Sequence, residues 1–194
     1  MLAKVLSSAI LGIDAYIVEV ECHITGSKLP KFVTVGLPEG AVRESKERVM
    51  AAIQNSGYAF PMKYITVNLA PADIRKEGSA FDLPIAVGLL AAVGDVSTQY
   101  LNKLLLLGEL ALDGSLRPIK GALPVAICAK EKGIKGLILP TENAQESSVV
   151  DGIKVVGADS LQEVIDILNG ELEKEVKSID LSRYFEQQKN YTLD

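Results

Sequence analysis

Between Asp82 and Val93 the chain is apolar on nearly every side, with Leu83, Ile85, Val87, Leu89 and Leu90 leaving no polar stripe. A helix of that kind has no face to offer water, so other elements must enclose it. That requirement implies a layered fold around a substantial core. With 194 residues the chain can supply one, since a chain of this size buries roughly 70% of the surface it exposes when unfolded. Apolar residues make up 48% of the sequence with no Trp and only four Phe, so the core is aliphatic. The length favours one domain, with room for a short appendage.

The segments on either side have the periods of the remaining layers. Lys4 to Ile10 reads as a strand, Gly12-Ile13-Asp14 as a turn, and Tyr16 to Ile24 as an alternating strand. Phe32 to Val35 is a third strand, and a helix is predicted from Ala41 to Asn55, with Gly57 as its stop. Tyr64 to Leu69 is again β-branched. Leu104 to Leu107 predicts a strand that continues to Leu112, turns at Asp113-Gly114 and returns through Ser115 to Ile119. Gly121 to Lys132 is helical, Gly136 to Leu139 a strand, Glu142 to Ser148 a short helix, and Ile153 to Val156 a last strand. Ser160 and Glu163 are spaced as a capping box for a final helix ending at Leu168. This mixed order gives an α/β or α+β domain over residues 1–170. From 171 to 194 the composition turns polar and charged, as in a linker.

Composition also excludes several functions. The formal net charge of −5 argues against autonomous tight binding to nucleic acid, which needs a clustered basic excess. No apolar run approaches the ~20 residues of a membrane span. Lys4 followed by Val5 to Ile13 resembles a leader, but Ser7 and Ser8 interrupt it and Asp14, Glu19 and Glu21 follow, so it reads as the first strands of the fold. Two cysteines, Cys22 and Cys128, give no disulfide framework and suit a reducing cytoplasm. His23 beside Cys22 suggests a metal ligand pair, but neighbours on a strand point to opposite faces. Cys128 reads as a core thiol.

The chemistry-bearing segments flank the apolar helix. Arg75-Lys76-Glu77-Gly78-Ser79 runs directly into it, and a loop-to-helix junction suits an activated nucleophile or an anion. A second loop runs from Gly108-Glu109-Leu110 through Asp113-Gly114-Ser115 to Arg117-Pro118-Ile119-Lys120-Gly121. Together with Val35-Gly36-Leu37-Pro38-Glu39-Gly40 to Val49, and Asn68-Leu69-Ala70-Pro71 to Pro84, these segments resemble the N-terminal domain of the ComM/YifB family, the Mg-chelatase-like or ChlI-related proteins. The resemblance implies a Lon-protease-like domain with the ribosomal protein S5 domain 2-like fold. It implies a hexameric parent with an AAA+ ATPase module using ATP and Mg, and DNA branch migration during natural transformation or recombination. The residues 171–194 are then a linker toward that module. No Gly-x-x-x-x-Gly-Lys-Ser/Thr run occurs, so any ATP hydrolysis belongs to sequence outside this chain.

Within the resemblance the protease dyad is missing. Aligning Lys76-Glu77-Gly78 with the Lon loop puts Ala80 at the nucleophile position, and aligning Pro118-Ile119 puts Leu123 at the lysine position. Ser79 and Lys120 stand close by as a displaced dyad. A one-residue slip turns a helical side chain by roughly 100°, so Ser79 is expected to cap the helix instead. The expected role is therefore assembly and positioning within a ring. A serine peptidase using Ser79 and Lys120, and a stand-alone nucleic-acid-binding domain, are the alternatives. Arg75 and Lys76 at the loop, with Arg43 and Lys46 on the predicted helix, are the candidate contacts to DNA or a partner.

Overall fold

The computed structural model describes residues 1–174. A seven-stranded sheet runs through it, built from β1 (Leu2–Leu11), β2 (Asp14–Thr25), β3 (Lys31–Val35), β4 (Tyr64–Ala70), β5 (Leu104–Leu106), β8 (Gly136–Pro140) and β9 (Lys154–Ala158), in the order β3-β4-β2-β1-β5-β8-β9. β6 (Glu109–Leu110) and β7 (Leu116–Arg117) form a separate ribbon. The helices are α1 (Gly40–Arg43), α2 (Ser45–Asn55), α3 (Asp82–Ala92), α4 (Ala122–Glu131), α5 (Thr141–Ser147) and α6 (Leu161–Leu168). β1 pairs antiparallel with β2, and β2 with β4; β3–β4, β1–β5, β5–β8 and β8–β9 are parallel. The molecule is thus a mixed α/β fold with a central sheet and flanking helices.

The strand period of two decides which residues face which layer. On β8, Ile138 joins the core beneath α2, α3 and α6, whereas Leu137 and Leu139 join a second core beneath α4 and α5. On β2, Val18, Val20, Cys22 and Ile24 are buried, while His23 between them is exposed. α3 lies in the first core with every residue from Asp82 to Ala91 buried, as its all-round apolarity requires. Gly88 lets it press onto β2: a methyl there would lie 2.6 Å from Cys22 Sγ.

Two predicted elements are divided. The helix expected over 41–55 breaks at Glu44, because the Arg48 guanidinium donates to Ala41 O at 2.6 Å, the carbonyl that Ser45 N–H would take in an unbroken helix. The strand expected over 104–112 stops at Leu106. Gly108 bonds instead to the loop before α3 and to its first turn, its N–H to Ala80 O at 2.9 Å and its carbonyl to Leu83 N–H at 3.0 Å. The chain then leaves the sheet for the β6–β7 ribbon. The expected linker begins by turning back: Glu171 and Leu172 donate to Asp166 O, and Lys174 pairs with Glu163 at 2.6 Å. The remainder of 171–194 lies outside the described residues.

Candidate functional site

An open cleft of about 570 Å³ lies where the end of β1, the loop before α3 and the 118–120 turn converge. Ser8, Ile10, Ser79, Ala80, Glu109 and Lys120 are among its lining residues. The two loops singled out in the sequence therefore do meet across one space. The pair of backbone hydrogen bonds at Gly108 fixes their spacing, and any Cβ at that glycine would strike Leu116 at 2.7 Å.

Ser79 and Lys120 both line the cleft. The half-buried Ser79 hydroxyl donates to Glu109 Oε2. Lys120 is exposed in the turn, and no hydrogen bond joins it to Ser79 among the described residues. A general base must lie within hydrogen-bond reach of the proton it removes, and here that place is taken by a carboxylate, a far weaker base than an amine. Ser79 also does not cap the helix. α3 begins at Asp82 with Phe81 as its N-cap residue and no side-chain cap, and the Ser79 hydroxyl is committed to Glu109 instead. Of the two positions matched to the Lon dyad, Ala80 lines the cleft. Leu123, in the first turn of α4, lines a neighbouring depression with Ile13 and Pro124.

The strongest electrostatic feature sits beneath this loop. Asp82, fully buried, receives Arg48 Nε at 2.7 Å and Arg48 Nη2 at 3.0 Å, and Leu110 N–H at 3.1 Å. One carboxylate thus ties α2, α3 and β6 together beside the Phe81 and Glu109 that line the cleft. Burial pushes the Asp82 carboxyl up to about 6, against the opposing pull of Arg48. The hydrogen bond to Asp82 in turn raises the Arg48 guanidinium further. The sequence signal for this pair is a lone acid opening an apolar helix, which without the partner's position also reads as a solvated first turn.

The four candidate cations separate. Lys76 is fully buried, its ammonium donating to Gly36 O at 2.8 Å and to Pro71 O. Burial lowers its pKa, with Asp73 pulling the other way. It braces two loops and presents no charge at the surface, which corrects its expected role as a surface anion contact. The bracing follows from the backbone, since Lys76 also exchanges hydrogen bonds with Leu37 and Glu39 and is carried inward by them. Arg75 is exposed and pairs with Glu39 at 3.5 Å. Arg43 is exposed, with Nε donating to Pro38 O at 2.9 Å. Lys46 lies apart from the cleft, beside Phe32 near the sheet edge. Among the described residues no cluster of His, Cys, Asp and Glu could hold a metal ion, and no helix is long and apolar enough to cross a membrane.

Residues 19–143 match the family model described as subunit ChlI of Mg-chelatase. The competence protein ComM of Haemophilus influenzae is 44% identical over 170 residues, covering 88% of this chain and 33% of that protein. The YifB protein of Escherichia coli is 45% identical over 169 residues, covering 87% and 33%. Lon protease 2 of Bacillus subtilis is 29% identical over 143 residues, covering 72% of this chain and 25% of the protease. The chain therefore spans about a third of the length of the ComM and YifB relatives it matches. It belongs to the ChlI family of Mg-chelatase-related proteins, alongside ComM and YifB.

Proposed function

We propose that this chain is a proteolytically silent Lon-like domain, of the ribosomal protein S5 domain 2-like fold, that serves a ComM-type AAA+ ATPase in ring assembly and positioning. The observation that carries the reading is the cleft itself. Two loops that resemble the active-site segments of Lon-type proteases line it, with Ala80 at the position matched to the nucleophile and the nearby Ser79 hydroxyl directed at Glu109. The similarity to a Lon protease over 72% of the chain supports the shared framework, and the similarity to ComM supports a parent acting on DNA in transformation or recombination. ATP hydrolysis and DNA remodelling are then tasks of the parent's other modules, in the cytoplasm, with a hexamer as the working assembly.

A fluorophosphonate serine probe tests silence directly. No labelling is expected, and Ser79→Ala changes nothing. Labelling at Ser79 that disappears in Lys120→Ala would replace this reading with a displaced-dyad peptidase. In the full-length parent, removing the domain is expected to weaken hexamer formation while leaving nucleotide binding intact. An unaltered hexamer would remove the assembly role.

A further inference from the structure

We propose that the open edge of β3 is a docking groove for an extended acidic peptide segment carrying one apolar anchor. This surface is separate from the cleft and does not depend on how the cleft is read. Among the described residues β3 ends the sheet, paired only with β4. Lys31 N–H points to β4, where it meets Lys63 O at 3.3 Å. Backbone groups of alternate strand residues point to opposite edges, so Phe32 and Thr34 turn theirs outward. A partner strand can add there through main-chain hydrogen bonds.

Beside this edge run two depressions that share Phe32 and Lys46 and so form one groove. The first, about 50 Å³, is floored by Phe32, Met50, Phe60 and Ile65 and rimmed by lysines that include Lys46 and Lys63. It has room for one apolar side chain. The second, about 260 Å³, opens toward Thr34, Pro38 and Arg43. Arg43, Lys46 and Lys63 form no ion pair among the described residues, whereas Glu39 and Glu44 close by are engaged by Arg75 and Arg48. The groove is therefore locally cationic on a chain of net charge −5. Charge complementarity selects an acidic occupant. A peptide fits better than a nucleic acid strand. Phe32 is packed against Phe60 with centroids 6.5 Å apart, at the floor of a depression of only about 50 Å³, which is too small to seat a nucleobase, and the basic rim is too short to track a phosphate backbone.

The test uses the 194-residue chain, a fluorescein-labelled acidic peptide with a central Phe between alternating Glu, its lysine counterpart, and an oligodeoxythymidine. Fluorescence anisotropy should show binding of the acidic peptide alone. Lys46→Glu with Lys63→Glu should weaken it at least ~10-fold, the equivalent of about 1.4 kcal/mol, and should confer binding of the lysine peptide. That reversal cannot come from an unfolded chain, and circular dichroism checks the fold independently. The proposal is overturned if neither peptide binds, if the acidic peptide binds the double variant equally well, or if only the oligonucleotide binds, which would make this face a nucleic-acid surface.

Discussion

At Asp82 a fully buried carboxylate has both oxygens occupied by Arg48 and Leu110. Its folded pKa of about 6 lies above the ~3.9 of an exposed aspartate, so the folded state holds the proton more tightly than the unfolded one. The stability linked to that proton is fully present below about pH 4 and is lost as pH rises through about 6. Arg48→Ala removes the partner that favours the charged form. It should cost about 3–5 kcal/mol at pH 8, as for a buried charge left unpaired, and distinctly less at pH 5, where Asp82 can take a proton. Urea denaturation at the two pH values reads the difference, and a small penalty independent of pH would contradict it. At Lys76 the expected outcome is structural. Lys76→Met strands two carbonyl oxygens and should cost about 1–3 kcal/mol, whereas Arg75→Ala, in an exposed pair, should leave the melting curve nearly unchanged. The opposite ranking would return Lys76 to the surface role its sequence suggested. Neither fate was legible locally: a lysine in a charged loop is normally solvated, and only the carbonyls of Gly36 and Pro71 make this one a brace.

Among the elements, α6 came through most completely from sequence. Leu161, Val164, Ile165 and Leu168 form its buried stripe, and Ser160 Oγ accepts from Glu163 N–H at 3.2 Å. The return arm of the expected capping box is displaced by one residue, since the Glu163 carboxylate takes Asp159 N–H at 2.9 Å and Lys174 at 2.6 Å. Ser160→Ala should therefore destabilise the domain by about 1 kcal/mol, measured as a shift in the denaturation midpoint at constant slope. An unchanged midpoint would mean that packing alone sets this helix start. The elements that the sequence joined and the fold divides, 41–55 and 104–112, share one cause. In each, a backbone group that would continue the local pattern is claimed by another partner: Ala41 O by the nearby Arg48 side chain, and the N–H and C=O of Gly108 by Ala80 and Leu83.

Over the whole molecule the sheet separates two cores, and the two thiols lie on its opposite sides. Cys22, under α3 in the first core, is pushed up to about 12 by burial. Cys128, on α4 beside the second, is also raised by burial but is slightly exposed. Because the thiolate is the reactive form, native protein should resist a thiol reagent. Cys128 should label first, and Cys22 only at the rate of global unfolding. Equal rates would mean that the sheet opens as one unit with α4. Sequence alone determined the layered α/β class, the buried α3 and the Asp113-Gly114 turn, because each is written in a short window of periodicity or turn chemistry. Tertiary structure decided the rest: that Ser79 turns to Glu109, that Asp82 finds Arg48, that Lys76 goes inside, and that Lys46 and Lys63 rim one groove at the sheet edge. These depend on which distant backbones become neighbours, and no local pattern encodes that.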